Sequence, residues 1–219
     1  MTDRVSVQVI EGPLGPFKIP LKPEFVRKNL ELLTHRVWAG EYDDSKLPKY
    51  GIESVLDIGC CIGSFSVWTC AKWPGIKSLM GFDPHQEALE FYKQNVTLGT
   101  ADCRAVTSQP GPVEFHMYAN WGMCSTHYVT NGHGDGYERL VDTVHPKDLP
   151  RADLLKIDAE GVEAEIVENY PYMDSLKLLL VEFHEPYMRQ AVRVYAERAG
   201  LTCLKEDVSG QGIALWMRP

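Results

Sequence analysis

Val55-Leu56-Asp57-Ile58-Gly59-Cys60-Cys61-Ile62-Gly63-Ser64-Phe65 decides the fold. The stretch opens as an apolar strand, passes through a tight turn of small residues and enters a helix. Such a junction aims backbone N–H groups at whatever lies above the strand. The spacing Asp57-x-Gly59-x-x-x-Gly63 also sets one carboxylate beside a turn with room for a ligand.

Outward from this turn, strand and helix patterns alternate. Apolar strands are expected at 54–59, 77–82, 154–157 and 177–183, and helices at 62–73, 84–98, 160–169 and 187–199. Pro84 would open its helix, and Gly99 and Gly200 would close theirs. Residues 113–118 and 140–144 read as strands around a long loop. At the end of the chain, 201–204 and 213–217 should pair antiparallel across Ser209-Gly210-Gln211-Gly212. Before the turn, residues 1–22 hold a short alternating segment, an edge strand or hairpin, and a helix spans 24–39 up to Gly40. Repeated βα units with apolar strands imply an α/β fold with a mainly parallel sheet covered on both faces. Residues 1–219 are expected to form one domain, with 1–50 as an extension packing near the site.

Composition narrows the function. The 219 residues carry a net charge of −8 with no basic stripe, which argues against nucleic-acid binding. The six cysteines show no zinc-ligand or CxxC spacing, so free thiols in a reducing, cytoplasmic setting are expected. No apolar run approaches the ~20 residues of a membrane span, and no signal segment is visible.

Two ligand classes compete for the turn. A dinucleotide site would prefer Gly-x-Gly-x-x-Gly, but Cys61 occupies the middle position. Asp57 is awkward beside a pyrophosphate and suits a ligand with a cationic amino group, such as S-adenosylmethionine. A purely structural βα turn remains open. Asp83, 20 residues after Gly63, ends the next strand, where an acidic side chain grips ribose hydroxyls. It also stands where a helix N-cap would. Cys103-Arg104-Ala105-Val106 should flank an adenine if the winding is standard.

A second dense motif is Asp153-Leu154-Leu155-Lys156-Ile157-Asp158-Ala159-Glu160-Gly161-Val162-Glu163. An ammonium inside an apolar strand must be paired. Leu180-Val181-Glu182-Phe183-His184 supplies the next strand. Period-2 alternation puts Lys156 and Asp158 on one face, and Glu182 and His184 on one face of theirs. Parallel strands in register would pair Lys156 with Glu182 and Asp158 with His184.

On these residues the chain resembles the FkbM family of S-adenosylmethionine-dependent methyltransferases. The likeness rests on Val55-Leu56-Asp57-Ile58-Gly59 with Ile62-Gly63-Ser64-Phe65-Ser66, on Leu155–Glu163, and on the closing Leu180–His184, spanning roughly residues 40–185. The Lys-Ile-Asp-x-Glu-Gly-x-Glu string is its most specific part. The resemblance implies the class I methyltransferase (Rossmann-like) fold: a mostly parallel seven-stranded sheet, helices on both faces and a C-terminal antiparallel hairpin. It implies S-adenosyl-L-methionine as cofactor, held by Asp57, Gly59, Cys60, Cys61, Ile62, Gly63, Ser64, Asp83, Pro84, Arg104, Ala105 and Asp158. It further implies O-methylation of a hydroxyl on a small molecule, sugar or lipid. Cys60-Cys61 replaces the family's usual Ala-Asn, and Asp83 a frequent Glu.

Asp158, His184, Lys156 and Glu182 are the catalytic candidates. Asp158 or His184 would take the acceptor's proton, an imidazole being suited to neutral pH. His184 can equally cap its strand or orient Asp158. Glu160 and Glu163 open the following helix, where negative charge is favourable, and are read as structural. The loop with Trp121, Met123, His127, Tyr128, Asn131, Gly132, His133, Gly134, Asp135 and Gly136 suits a lid with substrate contacts. No metal site is expected, the irregular spacing of His127, His133 and Asp135 being a poor ligand pattern. Gly40-Glu41-Tyr42 either closes over the cofactor or forms a surface turn. Two other readings stay open: a non-catalytic cofactor-binding or scaffold domain, and transfer to a nitrogen acceptor.

Overall fold

The computed structural model describes residues 7–21, 24–117, 137–184, 186–207 and 212–219. The expected lid residues 120–136 and the 209–211 turn lie outside them.

A hairpin of β1 (Val7–Gly12) and β2 (Gly15–Pro20) precedes α1 (Glu24–Trp38). Then follow β3 (Ser54–Ile58), α2 (Ser64–Lys72), β4 (Ser78–Phe82), α3 (Gln86–Asn95) and β5 (Thr100–Asp102). An excursion contains β6 (Ala105–Val106), β7 (Val113–Met117), β8 (Tyr137–Val141) and β9 (Thr143–Val144), pairing β6 with β9 and β7 with β8. The second half runs β10 (Leu154–Ile157), α4 (Glu163–Asn169), β11 (Leu178–Phe183), α5 (Pro186–Arg198), β12 (Thr202–Glu206) and β13 (Gly212–Met217).

The main sheet has seven strands in the order β12-β13-β11-β10-β3-β4-β5. β3, β4, β5, β10 and β11 are parallel, and β13 runs antiparallel to both β11 and β12. The chain winds outward from β3 through β4 to β5, then returns to β10 and winds the other way. The winding therefore reverses between β3 and β10, the point where such sheets open a crevice at their carboxyl ends.

Two apolar layers hold the sheet. Leu154, Leu178 and Leu180 face a core shared with α1, α2 and α3, while Leu155, Ile157, Leu179 and Val181 face α4 and α5. Leu178 to Val181 are all 0% exposed. Each such side chain contributes about 1.5–3 kcal/mol on burial, so a charge within these strands needs internal partners. Lys156, 3% exposed, is the exception that the site explains.

Several boundaries differ from the sequence expectation for local reasons. The helix expected from Pro84 starts at Gln86, because His85 caps it by accepting the Ala88 N–H on its ring nitrogen at 3.2 Å. Asp83 is therefore not the cap. The helix expected from 160 starts at Glu163, because Glu160 (φ 50) and Gly161 (φ 117) are left-handed and cannot continue one. The third sheet strand is Thr100–Asp102; Ala105–Val106 leaves the sheet to pair with β9.

Candidate active site

The turn after β3 is shaped by close approaches. Gly59 has φ 75, and a Cβ there would overlap the carbonyl of Asp158. Gly63 (φ 92) precedes α2 without a side chain to cap it and packs on Val96 and Tyr92. Between them Cys61 is left-handed (φ 45), a cost that a non-glycine residue bears only when its surroundings fix it. Here they do: the Cys61 N–H donates to Asp83 Oδ2 at 2.8 Å.

Asp83 ends β4, buried, and its other oxygen accepts the His85 N–H at 2.8 Å. Burial pushes its pKa up to about 6, although the two N–H groups favour the carboxylate. His85, in contact with the same strand end, is pushed down to about 4 by burial and stays neutral.

A cleft of about 580 Å³ opens above these groups. It is lined by Gly59 and Cys61 of the turn, Asp83 and Pro84 after β4, Arg104, Ala105, Val106 and Phe115, and Asp158, Glu160 and Val162 after β10. A second cleft of about 640 Å³ shares Gly59, Cys61, Asp158 and Glu160 with the first. It extends beneath α1 to Arg36, Glu41, Tyr42, Phe65, Lys156 and Glu182, and also touches Cys60, Ile62 and Ser64. Residues Glu41 and Tyr42 thus border the cleft; Tyr42 is buried, with its hydroxyl donating to Glu182 Oε2 at 3.0 Å.

The anticipated contact of Asp57 with a ligand is corrected. Asp57 is wholly buried under the turn and lines neither cleft. Its Oδ2 accepts from Ser66 at 2.6 Å, and its Oδ1 lies 3.5 Å from Lys156 Nζ. The reason is register: Asp57 on β3 stands opposite Lys156 on β10. Gly63 likewise lines neither cleft and serves the turn's geometry.

The pairing expected for Lys156 is corrected by the same register. Lys156 stands opposite Leu180, so Glu182 lies two residues further along β11. The ammonium donates instead to the Gly59 carbonyl at 2.8 Å and Asp158 Oδ2 at 3.2 Å, over the Phe65 ring. Burial works against its charge, but Asp158, Asp57 and Glu182 outweigh that and hold its pKa above the usual lysine value.

Asp158 and His184 do meet, Oδ1 to Nε2 at 3.6 Å. His184 lines neither cleft and sits behind the two carboxylates that do. Its Nε2 is 3.3 Å from Glu160 Oε1, and its Nδ1 is 2.8 Å from Glu163 Oε1. Glu163, 0% exposed, also accepts the Gly161 N–H. Burial opposes the imidazolium, but the bond to Glu163 and the charges of Glu160 and Asp158 raise His184 to about 10. Of the two roles the sequence leaves open for His184, base or orienting group, this setting favours the second, because the surrounding carboxylates hold its proton more tightly than that of a free imidazole. Burial, with Asp158 adding to it, raises Glu182 to about 7. Burial also raises Glu160 to about 8 against the pull of His184. Asp158, Glu160, Glu163, Glu182 and His184 thus gather around the ends of β10 and β11.

Glu160, expected to open a helix in a structural role, instead lines both clefts. A signal for this was present in the sequence, since Glu160-Gly161 is a poor helix opening and a good turn.

No family model matches the chain, and no curated protein matches it. Solved structures do resemble it. Methyltransferase FkbM from Methylobacillus flagellatus KT is similar at a TM-score of 0.53 and 11% identity, over 83% of this chain and 47% of that one. The chain thus spans about half the length of that protein. A chain of the complex between the Haloferax volcanii Trm112 methyltransferase activator and a methyltransferase is similar at a TM-score of 0.50 and 10% identity, over 88% of this chain and 94% of the other. The fold is that of the class I methyltransferases.

Proposed function

We propose that this chain is an S-adenosylmethionine-dependent methyltransferase acting on a hydroxyl of a small molecule, sugar or lipid. One observation carries the reading. A cleft lined by Asp83, Pro84, Val106 and Phe115 adjoins a second, charged cleft, and both are lined by Gly59, Cys61, Asp158 and Glu160.

The donor fits the first cleft on the chemistry of its lining. Asp83 keeps lone pairs beyond the two N–H groups it already accepts, and these suit the two hydroxyls of a ribose. Phe115, Val106 and Pro84 offer apolar surface for a purine. Cys60 and Cys61 border the second cleft and would meet the methionine portion. Asp57 acts one layer below, holding Lys156 so that Lys156 fixes the Gly59 carbonyl and Asp158.

Bound in this way, the donor supplies an electrophilic methyl group on a sulfonium. The protein's part is alignment, exclusion of water and removal of one proton. The acceptor would lie in the second cleft against Tyr42, Phe65 and Glu182, its oxygen facing the first. Alignment along the sulfur–methyl axis would come from the residues of the two clefts. The hydroxyl proton passes to a carboxylate. Glu182, raised to about 7, lines this cleft and is in place to take it at neutral pH, with Asp158 lining the cleft beside it. His184 is a positioning residue, turning Asp158 and Glu160 toward the cleft.

Calorimetric titration with S-adenosylmethionine and S-adenosylhomocysteine tests the donor site, with Asp83→Asn as the weakened variant. No heat of binding with the parent protein ends this reading. Transfer of a labelled methyl group to a panel of alcohols and sugars then tests the acceptor class.

A further inference from the structure

We propose that Asp158, Glu160 and His184 bind a divalent transition-metal cation at the acceptor end of the cleft; the cation's purpose rests on the methyl-transfer reading. The three residues each offer one donor atom, all within 4.8 Å of one another. His184 Nε2 stands 3.3 Å from Glu160 Oε1 and 3.6 Å from Asp158 Oδ1. Ligands at about 2.1 Å from a common ion stand roughly 3.0–3.4 Å apart, so small side-chain rotations close the set around one ion.

The surroundings are arranged for ligation as well. Glu163, buried and anchored by the Gly161 N–H, engages His184 Nδ1 at 2.8 Å. A carboxylate on the far ring nitrogen fixes the ring's orientation, so that a cation displacing the Nε2 proton meets the Nε2 lone pair on the side of the other two donors. Lys156 engages Asp158 Oδ2 and leaves Oδ1 turned toward His184. Asp158 and Glu160 line both clefts, so the remaining coordination positions face the space assigned to the acceptor. The charges agree: Asp158, Glu160, Glu163 and Glu182 are gathered around Lys156 and one imidazole.

One nitrogen and two oxygens suit manganese, iron, cobalt or zinc, with open positions for substrate oxygens. A coordinated hydroxyl becomes more acidic and is fixed in direction, lowering the demand on a protein base. The proton it releases passes to Glu182 or to water, and the oxygen then takes the methyl group as above.

The test uses the full chain, treated with EDTA, desalted and titrated with Mn²⁺, Co²⁺ and Zn²⁺ by calorimetry without donor. Binding of one ion per chain is expected. It should weaken at least tenfold in Glu160→Gln and His184→Gln, and about tenfold in Glu163→Gln. Visible absorption of the Co²⁺ form should show a nitrogen–oxygen site that His184→Gln alters. Thermal melting of each variant identifies any that fails to fold, and Glu160→Gln, whose residue borders open space, keeps the test intact. Absence of binding for all three ions, or unchanged affinity in Glu160→Gln and His184→Gln, overturns the site. Donor titration of the same EDTA-treated samples separates the two proposals. Donor binding without metal binding removes the cation alone, whereas metal binding without donor binding removes the methyl-transfer reading alone.

Discussion

On the β3–β4 side of the cleft, shape is made by backbone: Gly59 and Cys61 in left-handed conformations, Gly63 against Tyr92, and a single carboxylate, Asp83, held by two N–H groups. On the β10–β11 side it is made by ionisable side chains: Lys156, Asp158, Glu160, Glu163, Glu182 and His184 within reach of one another. The first side is suited to hold one fixed ligand, because backbone donors neither titrate nor turn. The second is suited to move a proton or hold a cation, because its carboxylates, Asp158, Glu160, Glu163 and Glu182, outnumber the cationic side chains Lys156 and His184. Lys156 couples the two sides, reaching the Gly59 carbonyl and Asp57 from one and Asp158 from the other.

Removing that link is the severest way to break the contrast. Lys156→Met leaves Asp57 charged and fully buried without its cation, and should cost about 3–5 kcal/mol in urea unfolding. Next comes the backbone side alone: Gly59→Ala forces a side chain into left-handed backbone and onto the Asp158 carbonyl. Left-handed strain and overpacking together should cost about 2–4 kcal/mol and abolish donor binding. Asp83→Asn separates recognition from folding. Donor affinity should fall by about 1.5–3 kcal/mol, read by calorimetry, as charge-assisted hydrogen bonds are lost.

A pH series sharpens the other side. His184 is raised from 6.5 to about 10, so its stabilisation is complete below about pH 6.5 and fades as pH climbs toward 10. Glu160 and Glu182, raised to about 8 and 7, also bind protons that the unfolded chain has released, which gives the same sign. The unfolding free energy from urea titration should therefore fall as pH rises from 7 to 9, by on the order of 1–2 kcal/mol, and His184→Gln should flatten that fall. The smallest effect lies at the opposite end of the strands. Lys77 and Glu53 form an exposed pair 2.7 Å apart, and Lys77→Ala should change stability by less than about 1 kcal/mol, with donor binding intact.

Much of the glycine turn and the place of Asp83 beside it was legible in the sequence. A β-turn-α junction with two glycines and an aspartate one strand later is local, and local rules of backbone conformation read it. The charged side was legible as a set of residues but not as a set of contacts. Lys156 and Glu182 look like partners when strands are assumed flush, and the actual register moves Glu182 two residues along. His184 reads as either a base or an orienting group, and three carboxylates around it favour the second. Glu160 looks like a helix opening, and a left-handed φ takes it out of the helix and into the clefts.

The sequence by itself determined the alternation of strands and helices, the glycine turn and the presence of an ammonium that had to be paired. These follow from periodicity, steric freedom and the cost of burying charge, which act over a few residues. Only the tertiary structure decided that Asp57 lies beneath the turn rather than in the cleft, and that Lys156 joins the two halves. It also decided that His184 stands behind Asp158 and Glu160. Those outcomes depend on strand register and on the summed field of groups up to a hundred residues apart in the chain, and neither is written in any local stretch.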